Sequence, residues 1–202
     1  MRNDQTLTAR RAEPADAELV TTIITLSFAC DPLWSHALKT ESGRSDHHQE
    51  HWSLLVGGAL RHTWTWLAEG GGATSIWIPP GGTEMSPEQE EQLDKLVDEH
   101  LGASAADYRE LVARFNAAHP RGTPHYYLSL LGTHPEHRGR RLGMRLLAHD
   151  LELIDAERLP AYLESSNPAN NHRYASVGFE PIAEFSYPGN GPLVTTMWRP
   201  AR

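Results

Sequence analysis

Cysteine is almost missing from this chain: Cys30 is the only one among 202 residues, which excludes an internal disulfide and leaves no cysteine cluster for zinc. Long apolar runs are missing as well. With 39% hydrophobic and 22% charged residues, the composition fits a soluble globular chain without a membrane span. Met1 to Leu19 is polar and carries acids, so no export signal is expected and the cytoplasm is the default location. A positive balance is also lacking, because Asp and Glu outnumber Lys and Arg by 26 to 18 for a net charge of -8. That argues against a nucleic-acid partner, which needs a broad basic face. No repeat or low-complexity tract appears, and the length suits one domain over 1–202 with a proper core.

Against that acidic background stands one local basic stretch, HPEHRGRRLGMRLL at 134–147. It follows YYLSLLG (Tyr126 to Gly132), which reads as a buried strand, and it runs into a segment with helical apolar spacing. The order is strand, glycine-bearing loop, helix. Amides at such a helix start have no intrahelical partner and carry the positive end of the helix dipole, so anions settle there. Arg138, Arg140, Arg141 and Arg145 add cationic side chains, and the stretch is read as a pyrophosphate site. A Walker A loop would need Gly-Lys-Ser/Thr where Gly143-Met144-Arg145 stands. A dinucleotide fingerprint would need three glycines where only Gly139 and Gly143 occur.

The rest of the chain alternates helical and strand patterns. Thr6 to Arg11 reads as a strand, and Glu13-Pro14-Ala15-Asp16 opens a helix carrying Leu19, Ile23, Ile24 and Phe28, which Asp31-Pro32 ends. A second helix is expected from about His48 to His62. Thr63 to Leu67 and Thr74 to Ile78 flank Gly70-Gly71-Gly72 as a hairpin. Residues 87 to 118 form an acidic helical insert with an apolar stripe of Leu93, Leu96, Val97 and Leu101. The helix after the basic loop presents Leu142, Leu146, Leu147, Leu151 and Ile154 to the sheet. Ala161 to Ser165 is a short strand and Asn170 to Val177 a short helix stopped at Gly178. Phe179 to Tyr187 and Leu193 to Arg199 form a terminal antiparallel pair.

These residues resemble the GNAT N-acetyltransferases, and in particular their puromycin N-acetyltransferase branch. The likeness spans nearly the whole length. It rests on Arg11-Ala12-x-Pro14-x-Asp16, Ile76-Trp77 before Pro79, Leu131-Gly132-Thr133-x-Pro135, the Arg138 loop, Leu163-Glu164-Ser165-Ser166, and Asn170 with Tyr174 before Gly178-Phe179. The resemblance implies an α/β (α+β) GNAT fold, with a mixed, mostly antiparallel central sheet splayed between its fourth and fifth strands and helices on both faces. It implies acetyl-CoA in that wedge, with Leu131, Gly132 and Thr133 holding the pantetheine and acetyl carbonyl. Arg138, Gly139, Arg140, Arg141, Leu142, Gly143 and Met144 would hold the pyrophosphate. One departure stands out: where the family pattern has an inner glycine, this chain has Arg141. A positive φ there would cost about 1 kcal/mol or more. Helical dihedrals would cost little and let the guanidinium reach a phosphate; helical dihedrals are the expectation.

Acetyl transfer from a thioester to an amine needs a neutral amine, oxyanion stabilisation and a donor near the departing sulfur. Amides of the splayed strand would bind the oxyanion. Tyr174 occupies the family's general-acid position, and Asn170, four residues earlier, would contact the cofactor or orient Tyr174; its alternative role is a helix N-cap. Glu164 at the end of a wedge strand is the candidate base and also faces the acceptor, with His134 as the alternative base. Trp34 is a candidate contact for an aromatic or sugar-bearing acceptor. His47, His48 and His51 have the spacing of a metal pair, yet no carboxylate or cysteine partner is identifiable, so no metal is expected. The expected activity is acetyl-CoA-dependent N-acetylation of a primary amine on a small molecule, an aminonucleoside antibiotic being one candidate, with no membrane partner. Acetylation of a protein or peptide amine and a catalytically silent CoA-binding module are the alternatives. A homodimer is common among such proteins.

Overall fold

The computed structural model describes residues 7–40, 43 and 45–202. Its seven strands, β1 (Ala9–Arg11), β2 (Thr65–Ala68), β3 (Ala73–Ile78), β4 (Tyr126–Thr133), β5 (Ala161–Ser165), β6 (Glu180–Ser186) and β7 (Leu193–Arg199), form one sheet in the order β1-β2-β3-β4-β5-β7-β6. Every pairing is antiparallel except β4 with β5. The β2–β3 hairpin turns where the sequence places its glycines: Gly70 and Gly71 take φ of 60° and 91°, values a Cβ disfavours.

Helices cover both faces, as expected. On one lie α1 (Ala17–Phe28), α2 (Trp34–Ala37), α3 (Asp46–Ala59), α4 (Pro87–His100) and α5 (Ala105–Ala118). Their buried Ile23, Ile24, Trp52, Val56, Val97 and Leu111 close on Ile76, Ile78 and Leu130 of the sheet. The acidic insert thus folds as the α4–α5 pair, α4 starting in a capping box of Ser86 and Gln89. On the other face α6 (Leu142–Ala156) packs Leu142, Leu146, Leu147, Leu151 and Ile154 against Trp77, Leu128 and Leu163, each such side chain contributing roughly 1.5–3 kcal/mol on burial. Asp150 of α6, fully buried, accepts hydrogen bonds from Ser75 Oγ and from Trp77 Nε1 at 2.9 Å, which fixes the helix on the sheet. The short α7 (Asn171–Ala175) follows β5.

Several boundaries differ from the sequence reading. Thr6 lies outside the described residues. The second helix begins at Asp46 and ends at Ala59 in a 3-10 turn, after which Thr63 turns left-handed (φ 55°) and delays β2 to Thr65. The expected Asn170–Val177 helix divides into a 3-10 turn, Pro168–Asn170, and α7. The pattern gave no sign of α2, which forms because Asp31 Oδ1 accepts the Leu33 and Trp34 amides at 3.0 and 3.1 Å. Among the described residues no helix is long and apolar enough to cross a membrane.

The sheet opens where the sequence implied. β4 pairs with β5 only from Tyr126 to Leu128 against Ala161 to Leu163, while β4 stays on β3 as far as Thr133. A register shift puts Ile76 opposite Leu130 and Trp77 opposite Leu128, so Ser129 is the extra residue of a bulge. A bulge bends and twists its strand. Beyond it Gly132 presses on α1, where a Cβ would stand 2.8 Å from Ser27 Oγ. The bulge and this close approach turn β4 away from β5.

Candidate active site

The wedge ends at the basic loop. After β4 a 3-10 turn, Pro135–His137, sends the chain through Arg138 (extended), Gly139 (φ 80°) and Arg141 (φ 58°, ψ 21°) into α6. Arg141 is therefore left-handed, and the expected helical dihedrals are corrected here: αL at this position lets the loop enter α6 while Gly143 passes under β4, where a Cβ would meet Thr133 Oγ1 at 2.7 Å. The first turn of α6 has neither a side-chain cap nor an acid, so its amides are open to an anion. Arg138, Arg140 and Arg141 are exposed beside them. Arg138 reaches back to the Ser27 carbonyl at 3.4 Å, and Arg140 donates to His137 Nδ1 at 3.0 Å. Open amides, local cations and glycine-tight packing fit a diphosphate.

Replacing Arg141 with glycine relieves about 1 kcal/mol of left-handed strain but adds about 0.5–1 kcal/mol of backbone entropy to lose on folding. Thermal denaturation of Arg141→Gly is therefore expected to shift little, while calorimetry shows CoA binding weakened about threefold by the lost cation. Unchanged affinity would remove the guanidinium from the phosphate site.

Leu131, Gly132 and Thr133 line the wedge, paired to β3 through Ser75, Thr74 and Ala73 and without a strand partner towards β5. Tyr174, on the α7 that follows β5, is packed against the α6-side core cluster, near Phe179 (6.3 Å between ring centroids). Burial, then the nearby Asp31 charge, pushes its phenol up to about 12. Asp31, itself raised by burial, accepts from Ser166 Oγ at 2.8 Å. It thereby ties the α1–α2 loop to the segment after β5. Asn170 ends the 3-10 turn and takes the N-cap position of α7, without a side-chain cap bond.

The bulge side of the sheet carries the carboxylates. Glu164 on β5 has a side chain only 3% exposed, with Oε1 3.8 Å from His119 Nδ1; burial and then its charge push the nearby Tyr127 and Tyr162 phenols up, and the Tyr162 hydroxyl donates to the Ala118 carbonyl at 3.4 Å. Glu84, in the loop after β3, accepts from Ser129 Oγ at the bulge itself. Its loop lies hard on α3, since a Cβ on Gly58 would stand 2.0 Å from the Glu84 carbonyl oxygen. Burial first, and then the Glu164 charge, raises Glu84 to about 7, against the Ser129 hydrogen bond. Sequence reasoning missed Glu84 and His119. Neither sits in a motif, and both are assembled by packing.

His134 belongs instead to the phosphate loop: its amide donates to the Gly72 carbonyl (3.0 Å) and its Nδ1 accepts from the Glu136 amide (3.4 Å). Trp34 stacks on Phe115 (5.9 Å, 3°) and meets Trp52 edge-on at 5.1 Å, a half-buried part of the helical layer. His47 and His48 both bond the Leu38 carbonyl and His51 bonds the Tyr108 hydroxyl, so these imidazoles are engaged in helix packing.

Beside the carboxylates a cavity of 1270 Å³ opens between the 79–87 loop, α4, α5 and the 119–125 loop. Glu84, Tyr108, His119 and Tyr127 line it, with the exposed Glu90, Glu91 and Asp94 further out. Two arginines also line the cavity, Arg109, paired with Asp94 and Asp98, and Arg121, bonded to the Asn116 carbonyl; Glu84, Glu90, Glu91 and Asp94 outnumber them.

Comparison with known proteins agrees with this arrangement. A family profile described as the Acetyltransferase (GNAT) family matches residues 71–179, from the β2–β3 turn to the start of β6. Among solved structures the chain is similar to one described as histone acetyltransferase HPA2 and related acetyltransferase from Corynebacterium glutamicum (20% identity, 98% of each chain, TM-score 0.65). It is also similar to arylalkylamine N-acetyltransferase 2 from Aedes aegypti (16% identity, 98% of this chain and 100% of that, TM-score 0.66). A third is a Drosophila melanogaster polyamine N-acetyltransferase (16% identity, 96% of this chain and 99% of that, TM-score 0.58).

Proposed function

The chain belongs to the acetyltransferase (GNAT) family and is by that membership an acetyl-CoA-dependent N-acetyltransferase; we propose that its acceptor is the primary amine of a small cationic molecule that enters through the anionic cavity. One observation carries this reading. The opened β4–β5 pair has a diphosphate-type loop at its end and a carboxylate-lined cavity at its bulge, so a donor and an acceptor can meet from opposite sides. Bound acetyl-CoA supplies the acyl group as an activated thioester. The open amides of α6, with Arg138, Arg140 and Arg141, bind its diphosphate, and the strand edge at Leu131–Thr133 aligns the rest.

On the acceptor side Glu84 and Glu164 bind the ammonium, and Glu164 takes its proton. Tyr174, held neutral, offers a hydrogen bond to sulfur as negative charge grows there. The walls formed by α4 and α5 suit a compact molecule better than an extended peptide. The names of two neighbours, acting on polyamines and on arylalkylamines, set the first acceptors to try, and the family branch suggested by the sequence adds puromycin.

Acetyl transfer to a panel of such amines, followed by mass detection, tests the proposal. Products from small di- and monoamines are expected. CoA-induced thermal stabilisation without any acetylated amine would make the chain a binding module, and preference for peptide amines would overturn the acceptor class.

A further inference from the structure

Three side chains stand in line, His119 and His125 lining the cavity and Glu164 enclosed behind them. His119 Nδ1 lies 3.8 Å from Glu164 Oε1, His119 Nε2 lies 3.2 Å from Nε2 of His125, and His125 Nδ1 lies 2.7 Å from the Thr123 carbonyl oxygen. The carbonyl determines the whole series. It can only accept, so His125 Nδ1 carries a hydrogen, and in a neutral ring Nε2 is then an acceptor. The contact between the rings must take its hydrogen from His119 Nε2, which in a neutral His119 leaves Nδ1 with a lone pair 3.8 Å from a carboxylate oxygen. Two acceptors face one another there, at a separation wider than the roughly 2.7–2.9 Å of a charge-assisted bond. One added proton completes the pair.

We propose that Glu164, His119 and His125 form a relay that draws the proton off the acceptor ammonium and moves it to the 119–125 loop. The proposal rests on the reading of Glu164 as the group that takes that proton. The ammonium gives its proton to the Glu164 carboxylate. The carboxyl passes it to His119 Nδ1 and returns to carboxylate, while His119 Nε2–H moves to His125 Nε2. His119 ends neutral with its hydrogen on Nδ1. His125 ends as the cation, buried, with its two ring hydrogens on the Thr123 carbonyl and on His119 Nε2. The line resets when Nε2–H returns to His119 Nε2 and the Nδ1 hydrogen of His119, whose side chain lines the cavity and is 26% exposed, goes to solvent there. The amine nitrogen then has one further hydrogen to lose, and that one finishes on the CoA thiol.

The surroundings keep the line in place. The His119 ring is gripped edge-on by Tyr127 (4.9 Å) and Tyr162 (5.0 Å), and His125 by Trp198 (5.2 Å). Burial lowers the His125 pKa, so that ring starts neutral, as the tautomer argument requires. The titratable groups facing the line are Glu84, Tyr127 and Tyr162; burial and the Glu164 charge raise both phenols, which stay protonated, and the Tyr162 hydroxyl donates to the Ala118 carbonyl. The nearby Arg121 is directed to the Asn116 carbonyl at 3.2 Å.

Two measurements test the relay. Nitrogen-15 NMR of the histidine rings in the unliganded wild type should find His125 protonated at Nδ1 and His119 at Nε2; the opposite tautomers overturn the proposal whatever the acceptor proves to be. In turnover, His119→Gln should lower kcat at pH 7 by at least about tenfold, short of the 10²–10⁴ of a primary base, with the KM for acetyl-CoA unchanged. Added imidazole should restore part of the rate in His119→Ala. Wild-type acetylation with undiminished kcat in both variants, or a loss imidazole does not repair while CoA still stabilises the fold, rejects the relay and leaves the acetyltransfer reading standing. A wild type that acetylates no amine rejects the reading instead, and the NMR tautomers still decide the hydrogen-bond line.

Discussion

Glu84→Gln is expected to lower kcat/KM for the amine about 10- to 100-fold at pH 8, the worth of one charged hydrogen bond of about 1.5–3 kcal/mol, and to flatten the rise in kcat/KM through about pH 7. The rise arises because Glu84 is raised to about 7 by its enclosure and by the Glu164 charge, and only its carboxylate attracts an ammonium. Because kcat/KM reports the free enzyme, the inflection belongs to the unliganded site. Glutamine keeps the oxygen that Ser129 donates to and removes only the ionisation. Rate measurements from pH 6 to 9 check this: an inflection near 7 that persists in Glu84→Gln would assign it to another group.

The same substitution has an opposite effect on stability. In the unfolded chain a glutamate titrates near 4.3, so between that pH and about 7 the folded protein holds a proton that the unfolded chain has released. This group's contribution to stability therefore falls as pH rises through the window, and above about 7 Glu84 is a half-buried charge that opposes folding. Glu84→Gln should raise the Tm at pH 8, by up to about 2 kcal/mol of stability, and leave it unchanged near pH 4. A residue that lowers stability while raising the rate is what a binding group near the reacting centre looks like.

What the sequence disclosed follows from how local each feature is. The phosphate loop is legible because strand, loop and helix are consecutive and every contributor to it lies within 126–147. The α6 face is legible because Leu142, Leu146, Leu147, Leu151 and Ile154 keep helical spacing. Glu84 is illegible for the opposite reason: its position depends on Gly58 of α3, 26 residues away, and on a bulge at Ser129 that has no signature in YYLSLLG. His119 reads as a helix-end residue until α5 is docked. Arg141 could be helical or left-handed by composition alone. Contact between Gly143 and Thr133 decides it. His134 follows the strand that lines the wedge, yet the 3-10 turn at Pro135 folds it into the loop.

The largest loss specific to kcat is expected at Tyr174. A free thiol ionises near 8.5, whereas burial and Asp31 hold the Tyr174 phenol at about 12, so complete proton transfer to a departing thiolate is uphill. The phenol acts as a hydrogen-bond donor, and a bond of that kind to growing charge is worth about 1.5–3 kcal/mol. Tyr174→Phe should accordingly lower kcat about 10- to 100-fold and change the KM for acetyl-CoA less than about threefold, because the bond strengthens only as the carbon–sulfur bond breaks. Two further results follow from the same cause. The wild-type kcat should show no descending limb from this phenol below about pH 10. An acetyl thioester with a more acidic thiol should lose less in the Phe variant, since its sulfur needs less help. Equal losses with both donors would place Tyr174 in packing against Phe179 rather than beside the sulfur.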